Sequence, residues 1–203
     1  GGSDRRKKIF PEYKMKRREK YVDQNIKDKN FILENKDNED YIPPFNFLEE
    51  QKKVFEITKC LGIQQFRTSG EEADDVIATL VEKLKKDNNI IMCSNDHDFK
   101  QLLQDKNVKM FFSLGFKKIF NDYESFVKKF GFEPKYYPNY LAICGDKTDE
   151  YYGVPGIGEK TATILVRDFG PKLSTIIENA EKNNIVIPRF PNINSDIVSN
   201  KEV

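Results

Sequence analysis

The chain has 203 residues, of which 34 are Lys or Arg and 33 are Asp or Glu, so its formal net charge is only +1. This balance excludes the overall basic excess that by itself indicates a nucleic-acid-binding protein. No apolar run reaches the about 20 residues that cross a bilayer, so we expect no membrane partner. The length suffices for one sizeable domain or for a domain with a small appendage.

The N-terminal region is basic. Residues 5–20 contain nine Lys or Arg against Glu12 and Glu19, with aromatic residues such as Phe10 and Tyr13 between them. A run of charge is usually a solvated face, but the interleaved aromatic residues favour contact with phosphate and bases. Residues 21–44 are polar and rich in Asn, Asp and Lys, and we predict a mobile loop or an insertion there.

Hydrophobic periodicity predicts strands alternating with helices from residue 47 onward. The predicted strands are 64–68, 89–94, 108–113 and 117–120, and the predicted helices are 47–61, 71–86, 99–103, 123–130, 134–144, 160–169 and 173–182. This order indicates an α/β fold with a mainly parallel central sheet flanked by helices. The helical part from about residue 134 is expected to form a separate subdomain, and the Pro- and Asn-rich tail from residue 183 has no predicted element.

The three cysteines, Cys60, Cys93 and Cys144, lie far apart and form no C-x-x-C pair. Each is in or beside an apolar segment, which predicts buried free thiols in a reducing compartment. We therefore expect an intracellular protein, and the sequence leaves open whether it works in the nucleus, the cytosol or an organelle.

Acidic residues form three short clusters, at 70–75 (GEEADD), 94–98 (SNDHD) and 145–149 (GDKTD). Crowded carboxylates raise one another's pKa, so the arrangement costs free energy. Mg²⁺ or Mn²⁺ relieves that cost, because these hard cations prefer oxygen ligands. His97, within the second cluster, is more typical of a spectator than of an acid–base group.

The first two clusters each follow a predicted strand. Because ligands bind at the carboxyl ends of parallel strands, we predict that these clusters meet at one edge of the sheet. Glu72 and Asp75 are three residues apart on a predicted helix and share a face. Acidic residues also favour the first turn of any helix, so one cluster alone would indicate capping. Three clusters make metal binding the favoured interpretation.

The third cluster is followed by a glycine-rich segment at 153–162 (GVPGIGEKTA), for which we predict a loop. A helix N-terminus approached by glycine turns binds phosphate through backbone N–H groups. Acidic clusters that bind metal and a loop that binds phosphate together indicate metal-assisted chemistry on a phosphodiester.

Four of these segments resemble the 5′-nuclease family, which comprises the 5′–3′ exonuclease domain of bacterial DNA polymerase I and the related flap endonucleases. Residues 72–80 (EADDVIATL) are similar to its first acidic motif, and 96–103 (DHDFKQLL) to its D-x-D-x-x-Q-L motif. Residues 145–162 resemble its G-D-x-S-D segment and helix–three-turn–helix, and 11–17 (PEYKMKR) its basic Y-K-x-x-R motif. Four motifs in the family's order are far more specific than any one of them.

The resemblance implies a resolvase-like catalytic domain at 1–133 and a helix–three-turn–helix DNA-binding subdomain at 134–203, with the family's arch at 21–44. It also implies a Mg²⁺- or Mn²⁺-dependent nuclease that cuts 5′ strands of flapped, nicked or branched DNA in replication and repair, using two ions. A polymerase domain in the same or another chain is a further implied partner. The implied metal ligands are Glu72, Asp74, Asp75, Asp96, Asp98, Asp146 and Asp149, with Asp74 and Asp96 also counted as catalytic.

The resemblance further implies how DNA is held. Lys14 and Arg17 would clamp the scissile phosphate, Tyr13 would stack on a terminal base, and Lys16 would add a phosphate contact. The loop would grip duplex phosphates through backbone N–H groups and could hold K⁺. The residues implied there are Gly153, Gly156, Gly158, Lys160 and Thr161.

The sequence departs from the family pattern in one main respect. The family's first strand, with its metal-ligand Asp, and a second Asp before the arch are not evident here. We therefore expect the N-terminal domain to be incomplete in this sequence. The rival interpretations are a DNA-junction-binding module of the same fold that has lost catalysis and a related nuclease that cleaves RNA.

Overall fold

The computed structural model describes residues 4–11, 13–16, 19, 20, 23, 27, 47–114, 117–146, 149 and 151–201. Arg17 and nearly all of the predicted arch lie outside these residues. The chain divides into two compact units, Gly1–Val76 and Ile77–Val203. None of the described helices is long and apolar enough to cross a membrane.

The first unit contains helix α1 (Asp4–Ile9), helix α2 (Phe47–Cys60) and the start of helix α3 (Ala73–Leu84). The predicted strand at 64–68 is wrong, since these residues form neither strand nor helix and are exposed. A strand persists only with a partner to satisfy its backbone groups, and no described residue pairs with this segment. The side-chain amide of Gln65 instead donates a hydrogen bond to the Phe55 carbonyl at 2.6 Å.

After the remainder of α3, the second unit contains a three-stranded sheet in the order β1 (Ile90–Cys93), β2 (Val108–Leu114) and β3 (Lys117–Asn121). β1 pairs parallel to β2, and β2 pairs antiparallel to β3, so the described sheet is mixed. A 3₁₀ helix, His97–Leu102, follows β1 directly. It carries the predicted second acidic cluster to the carboxyl end of that strand, as expected.

Helices make up the rest of the second unit. They are α4 (Tyr123–Phe130), a 3₁₀ turn (Pro134–Tyr136), α5 (Tyr137–Cys144), α6 (Glu159–Asp168), α7 (Leu173–Glu181) and α8 (Ile193–Ser199). Asp122 directly precedes α4 and caps it. Its side chain accepts a hydrogen bond from the Ser125 N–H at 2.9 Å.

The core of the second unit joins the sheet to the helices. Val108 and Met110 on β2 and Leu165 on α6 are fully buried. The rings of Phe126 and Phe130, 4.6 Å apart, pack with Phe132, Tyr137 and Tyr140 between α4 and α5. Each such side chain contributes about 1.5–3 kcal/mol when fully buried. This packing fixes the 3₁₀ helix and the end of α5, which carry the second and third acidic clusters.

Two further expectations needed correction. Cys60 and Cys93 are exposed and Cys144 is half-buried, so the prediction of buried thiols is wrong. Apolar neighbours in sequence do not bury a side chain that lies on the outer face of its helix or strand. The tail contains α8, which packs through the buried residues Ile193 and Ile197. Its Pro- and Asn-rich composition concealed this helix.

Candidate metal and nucleic-acid site

The first acidic cluster lies at the start of α3 and is neutralised by a basic side chain from α1. The Arg6 guanidinium donates two hydrogen bonds to Asp75, both at 2.8 Å, and a third to Glu72 Oε2, also at 2.8 Å. Glu72 is 8% exposed and is the most buried carboxylate described. Glu72 lies just before α3 and Asp75 in its first turn, and one guanidinium reaches both, so the two carboxylates point the same way as predicted.

Asp75 is held in its charged form. Burial acts to raise the pKa of Asp75, but the hydrogen bonds from Arg6 and from the Glu72 N–H outweigh it, so the pKa lies below its usual value. The Glu72 N–H donates to Asp75 Oδ2 at 3.2 Å. The Asp75 carboxylate therefore accepts a hydrogen bond from the backbone N–H of Glu72, just before α3, and also pairs with the positive charge of Arg6.

The predicted basic motif contacts this cluster. The Tyr13 hydroxyl donates to Glu72 Oε2 at 2.9 Å, and Lys14 Nζ lies 3.6 Å from the same oxygen. Lys14 Nζ also lies 4.7 Å from the centre of the Tyr13 ring. Lys14 has a φ of 53°, in the left-handed region that is uncommon for residues with a side chain. Lys16 is exposed, and Arg17 lies outside the described residues.

The second acidic cluster is organised by its own backbone. Asp96 caps the 3₁₀ helix, and its carboxylate accepts a hydrogen bond from the Asp98 N–H at 3.0 Å. Asp96 is exposed and Asp98 is half-buried. Burial, Lys100 and Lys129 lower the pKa of His97 against the opposing influence of Asp96 and Asp146. A histidine kept neutral in this way fits the predicted spectator role.

The third cluster follows α5. Asp146 forms a two-residue antiparallel bridge with Tyr151, with N···O distances of 2.7 and 2.9 Å. Burial raises the pKa of Tyr137, and the charges of Asp98 and Asp146 raise it further. The second and third clusters are therefore close enough for their charges to act on one tyrosine. Asp149 is half-buried.

The glycine loop has the tight backbone that its sequence predicts. Gly153 has a φ of 62°, and a Cβ there would lie 2.5 Å from Gly145 N. The backbone before the Asp146–Tyr151 bridge therefore lies very close to the backbone after it. Gly156 has a φ of 81° and lies in open space. Gly158 occupies the N-cap position of α6 without a side-chain cap, and Lys160 in the first turn is exposed. Thr161 is buried.

The seven carboxylates are divided between the two units: Glu72, Asp74 and Asp75 belong to the first, and the other four to the second. Their predicted convergence at one edge stays a prediction. In the described ranges, no three His, Cys, Asp or Glu side chains are arranged to hold a metal ion. The all-carboxylate donor set nevertheless fits Mg²⁺ or Mn²⁺, and the buried Glu72 already attracts two cationic side chains.

Sequence reasoning missed two residues that shape this site. Arg6 appeared only as one of many basic residues, because no spacing rule links it to carboxylates 66 and 69 positions away. Lys100 lies inside the second motif, yet it is 8% exposed. Lysine is almost never that buried, so only the structure reveals it.

Family comparison decides the classification. A family model described as "5'-3' exonuclease, N-terminal resolvase-like domain" matches residues 1–131, and one described as "5'-3' exonuclease, C-terminal SAM fold" matches residues 132–202. The chain belongs to the 5′–3′ exonuclease family. This membership confirms the resemblance and the predicted fold class, a resolvase-like α/β domain followed by a helical one.

Individual relatives agree. A 5′–3′ exonuclease of Buchnera aphidicola subsp. Baizongia pistaciae is 38% identical over 140 residues, which cover 68% of this chain and 45% of that protein. One of Aquifex aeolicus is 39% identical over 137 residues, covering 67% and 46%. DNA polymerase I of Mycobacterium bovis is 32% identical over 128 residues, covering 62% of this chain and 14% of that protein. The chain thus spans about half the length of the two exonucleases.

Solved structures show the same fold. T5 5′-exonuclease with bound zinc aligns over 100% of this chain and 67% of its own, with a TM-score of 0.74 and 24% identity. The catalytic core of Rad2 in complex with a DNA substrate aligns over 100% of this chain and 58% of its own, with a TM-score of 0.57 and 18% identity. At these identities the likeness concerns the fold alone.

Proposed function

We propose that this chain is the nuclease part of a metal-dependent, structure-specific 5′ nuclease that hydrolyses phosphodiester bonds in flapped, nicked or branched DNA. The observation that carries the proposal is the contact of the basic motif with the first acidic cluster. Tyr13 and Lys14 both reach Glu72. The Lys14 ammonium, which can bind a phosphate, therefore lies beside the Glu72 carboxylate, which can bind a metal. The domain division at 133/134 is part of the proposal.

The proposed ligand set consists entirely of carboxylates. Bound Mg²⁺ or Mn²⁺, as two ions, would supply an activated water and stabilise charge on the attacked phosphate. The proposed ligands are Glu72, Asp74, Asp75, Asp96, Asp98, Asp146 and Asp149. Asp146 is fixed through its bridge to Tyr151, and Asp98 through its backbone N–H to Asp96, so both side chains start from a rigid backbone.

The chain's own cations would handle the phosphate. Lys14, with Arg17, would clamp the scissile phosphate and offset the negative charge that grows on it. Tyr13, stacked beneath Lys14, presents a ring face to a terminal base, and Lys16 adds an exposed charge. These residues position the 5′ end of one strand without reading its sequence.

The glycine loop would hold the duplex portion of the substrate. Gly156 and Gly158 lie in open space, so a phosphate can approach the backbone N–H groups of the loop and of the first turn of α6. Gly153 and Thr161 shape the loop from inside, and Lys160 adds a cation. A K⁺ ion in this loop is part of the proposal. A polymerase in the same or another chain is the proposed partner, because relatives of this chain include DNA polymerase I.

The test uses a 5′-labelled flap substrate with Mg²⁺, Mn²⁺ or EDTA and the full-length protein. We expect release of the labelled 5′ strand with either metal and none with EDTA. Metal-independent cleavage, or no cleavage at all, would contradict the proposal. Tight binding of the flap without cleavage would identify a junction-binding module instead, and preferential cleavage of an RNA strand would identify an RNA nuclease.

A further inference from the structure

Lys100 is a largely buried lysine, and the part of the chain that the structure describes gives it no ion-pair partner. The residue is 8% exposed overall. Among the described residues only Asn121 Nδ2 is a fully buried side-chain polar atom without a hydrogen-bond partner, so Lys100 Nζ keeps some contact with solvent. Asp98 and Glu159 attract Lys100 electrostatically. Its ammonium group lies over two aromatic rings.

Those rings hold the ammonium group in one place. Lys100 Nζ lies 5.5 Å from the centre of the Tyr137 ring and 6.0 Å from that of Phe130. Cation–π attraction offsets part of the cost of burial. The ring faces also fix the position of the group, because Phe130 and Tyr137 are themselves buried in the aromatic core.

A second cation approaches the same ring. Lys129 Nζ lies 5.1 Å from the centre of the Phe130 ring, on an exposed residue of α4. The charge of Lys129 also acts on Lys100. Two like charges beside one ring repel each other, and an anion between them would turn this cost into attraction.

The pair lies beside the proposed reaction site. Lys100 follows Asp98 on the same 3₁₀ helix, and Glu159 begins the helix that leaves the glycine loop. The charge of Glu159 acts on Lys100, so the start of that helix lies near Lys100.

We propose that Lys100 and Lys129 form an anion subsite that binds a non-scissile backbone phosphate of the DNA substrate. This inference rests on the proposed function, since it assigns a further contact to the same substrate. The subsite would steer the strand between the glycine loop and the carboxylates. It acts without sequence preference, because a phosphate carries no base information.

The test measures binding of a fluorescein-labelled 5′-flap DNA to the full-length protein in EDTA, as a function of KCl concentration. Lys100→Met retains the length of the side chain and removes its charge, and Lys129→Met removes the exposed charge. Losing one phosphate contact is expected to make the plot of log K against log[KCl] less steep by about 0.9. At 0.1 M KCl this corresponds to a roughly eightfold loss of affinity. Lys128→Met, on the same helix, is the matched control, with an unchanged slope expected.

A single neutral methylphosphonate, moved along the DNA strand, locates the phosphate. At one position it should weaken binding to the parent but cause no further loss in Lys100→Met. An unchanged slope in folded Lys100→Met, or an equal loss in Lys128→Met, would overturn the subsite. If Lys100→Met fails to fold, Lys129→Met decides in the same way. Cleavage of the flap by the parent with Mg²⁺ tests the proposed function separately.

Discussion

Arg6 binds Asp75 through both terminal nitrogens of its guanidinium, each 2.8 Å from a different carboxylate oxygen. This geometry is the bidentate pair that arginine forms best. The same group reaches Glu72, so one cation spans two of the proposed metal ligands. A divalent ion that binds these carboxylates has to displace Arg6 or share the site with it.

Arg6→Gln should therefore tighten divalent metal binding. Removing the competing cation makes the carboxylates more attractive to Mn²⁺, by roughly fivefold for a pair worth about 1 kcal/mol. Isothermal titration calorimetry measures the affinity without any turnover. Arg67→Gln, which removes an exposed charge of the same unit, serves as the control. Weaker binding in Arg6→Gln would show that Arg6 supports the metal site rather than competing for it.

Gly153→Ala should destabilise the protein more than Gly156→Ala. Both glycines have positive φ, which costs a residue with a side chain about 1 kcal/mol. At Gly153 the added Cβ would also lie 2.5 Å from Gly145 N and 2.6 Å from the Ile143 carbonyl oxygen, whereas at Gly156 it meets open space. Urea denaturation gives both free energies of unfolding. Equal losses would contradict the close approach of the bridge and the loop.

Asp122→Ala should cost about 1 kcal/mol at neutral pH, because it removes the cap of α4. Hydrogen bonds from Ser125 lower the pKa of Asp122. Its folded pKa is therefore below its unfolded value, so its contribution is present above about pH 3.9 and is lost as the pH falls through the folded pKa. The difference in unfolding free energy between parent and variant should shrink on acidification.

The control for that comparison is Asp122→Asn, which keeps an oxygen acceptor. Its effect on unfolding at neutral pH should be smaller than that of alanine, and it should also shrink on acidification, because the parent then loses its charged cap. Urea denaturation at several pH values between 3 and 7 makes the comparison. A constant difference between parent and Asp122→Ala would contradict the charged cap.

Thiol labelling should separate the three cysteines. Cys60 and Cys93 are exposed and are expected to react quickly with iodoacetamide at pH 8. Burial raises the pKa of Cys144, so less of its thiolate is present and its labelling should be slow. Mass spectrometry of tryptic peptides measures each rate, and unfolded protein should label at all three. Fast labelling of Cys144 in the folded protein would contradict its position in the fold.

The sequence predicted most of the elements, because their signals are local. The strands predicted at 108–113 and 117–120 and the helix predicted at 123–130 follow from periodicity over a few residues, and the structure contains all three. The predicted strand at 64–68 failed because a strand depends on a partner elsewhere in the chain. Helix α8 was missed because its stability comes from tertiary burial of Ile193 and Ile197.

Part of the candidate site could also be predicted from local motifs. The acidic and basic motifs identified Glu72, Lys14 and Tyr13, which the structure brings together. The motifs did not identify Arg6 as the counter-cation, since a contact over 66 residues leaves no trace in a single sequence. The burial of Lys100 could not be predicted either, because a lysine beside an acidic motif is expected to be exposed to solvent.

Single-turnover cleavage of a 5′-labelled flap by Asp74→Asn tests the central claim most directly. The substitution keeps the shape of a proposed metal ligand and removes its charge, whereas Glu71→Gln changes an exposed neighbour outside the ligand set. With Mg²⁺ present, we expect the rate to fall about 100-fold or more in Asp74→Asn and to stay near the parent's in Glu71→Gln. Equal rates in Asp74→Asn and the parent would contradict a metal-dependent nuclease centred on this cluster.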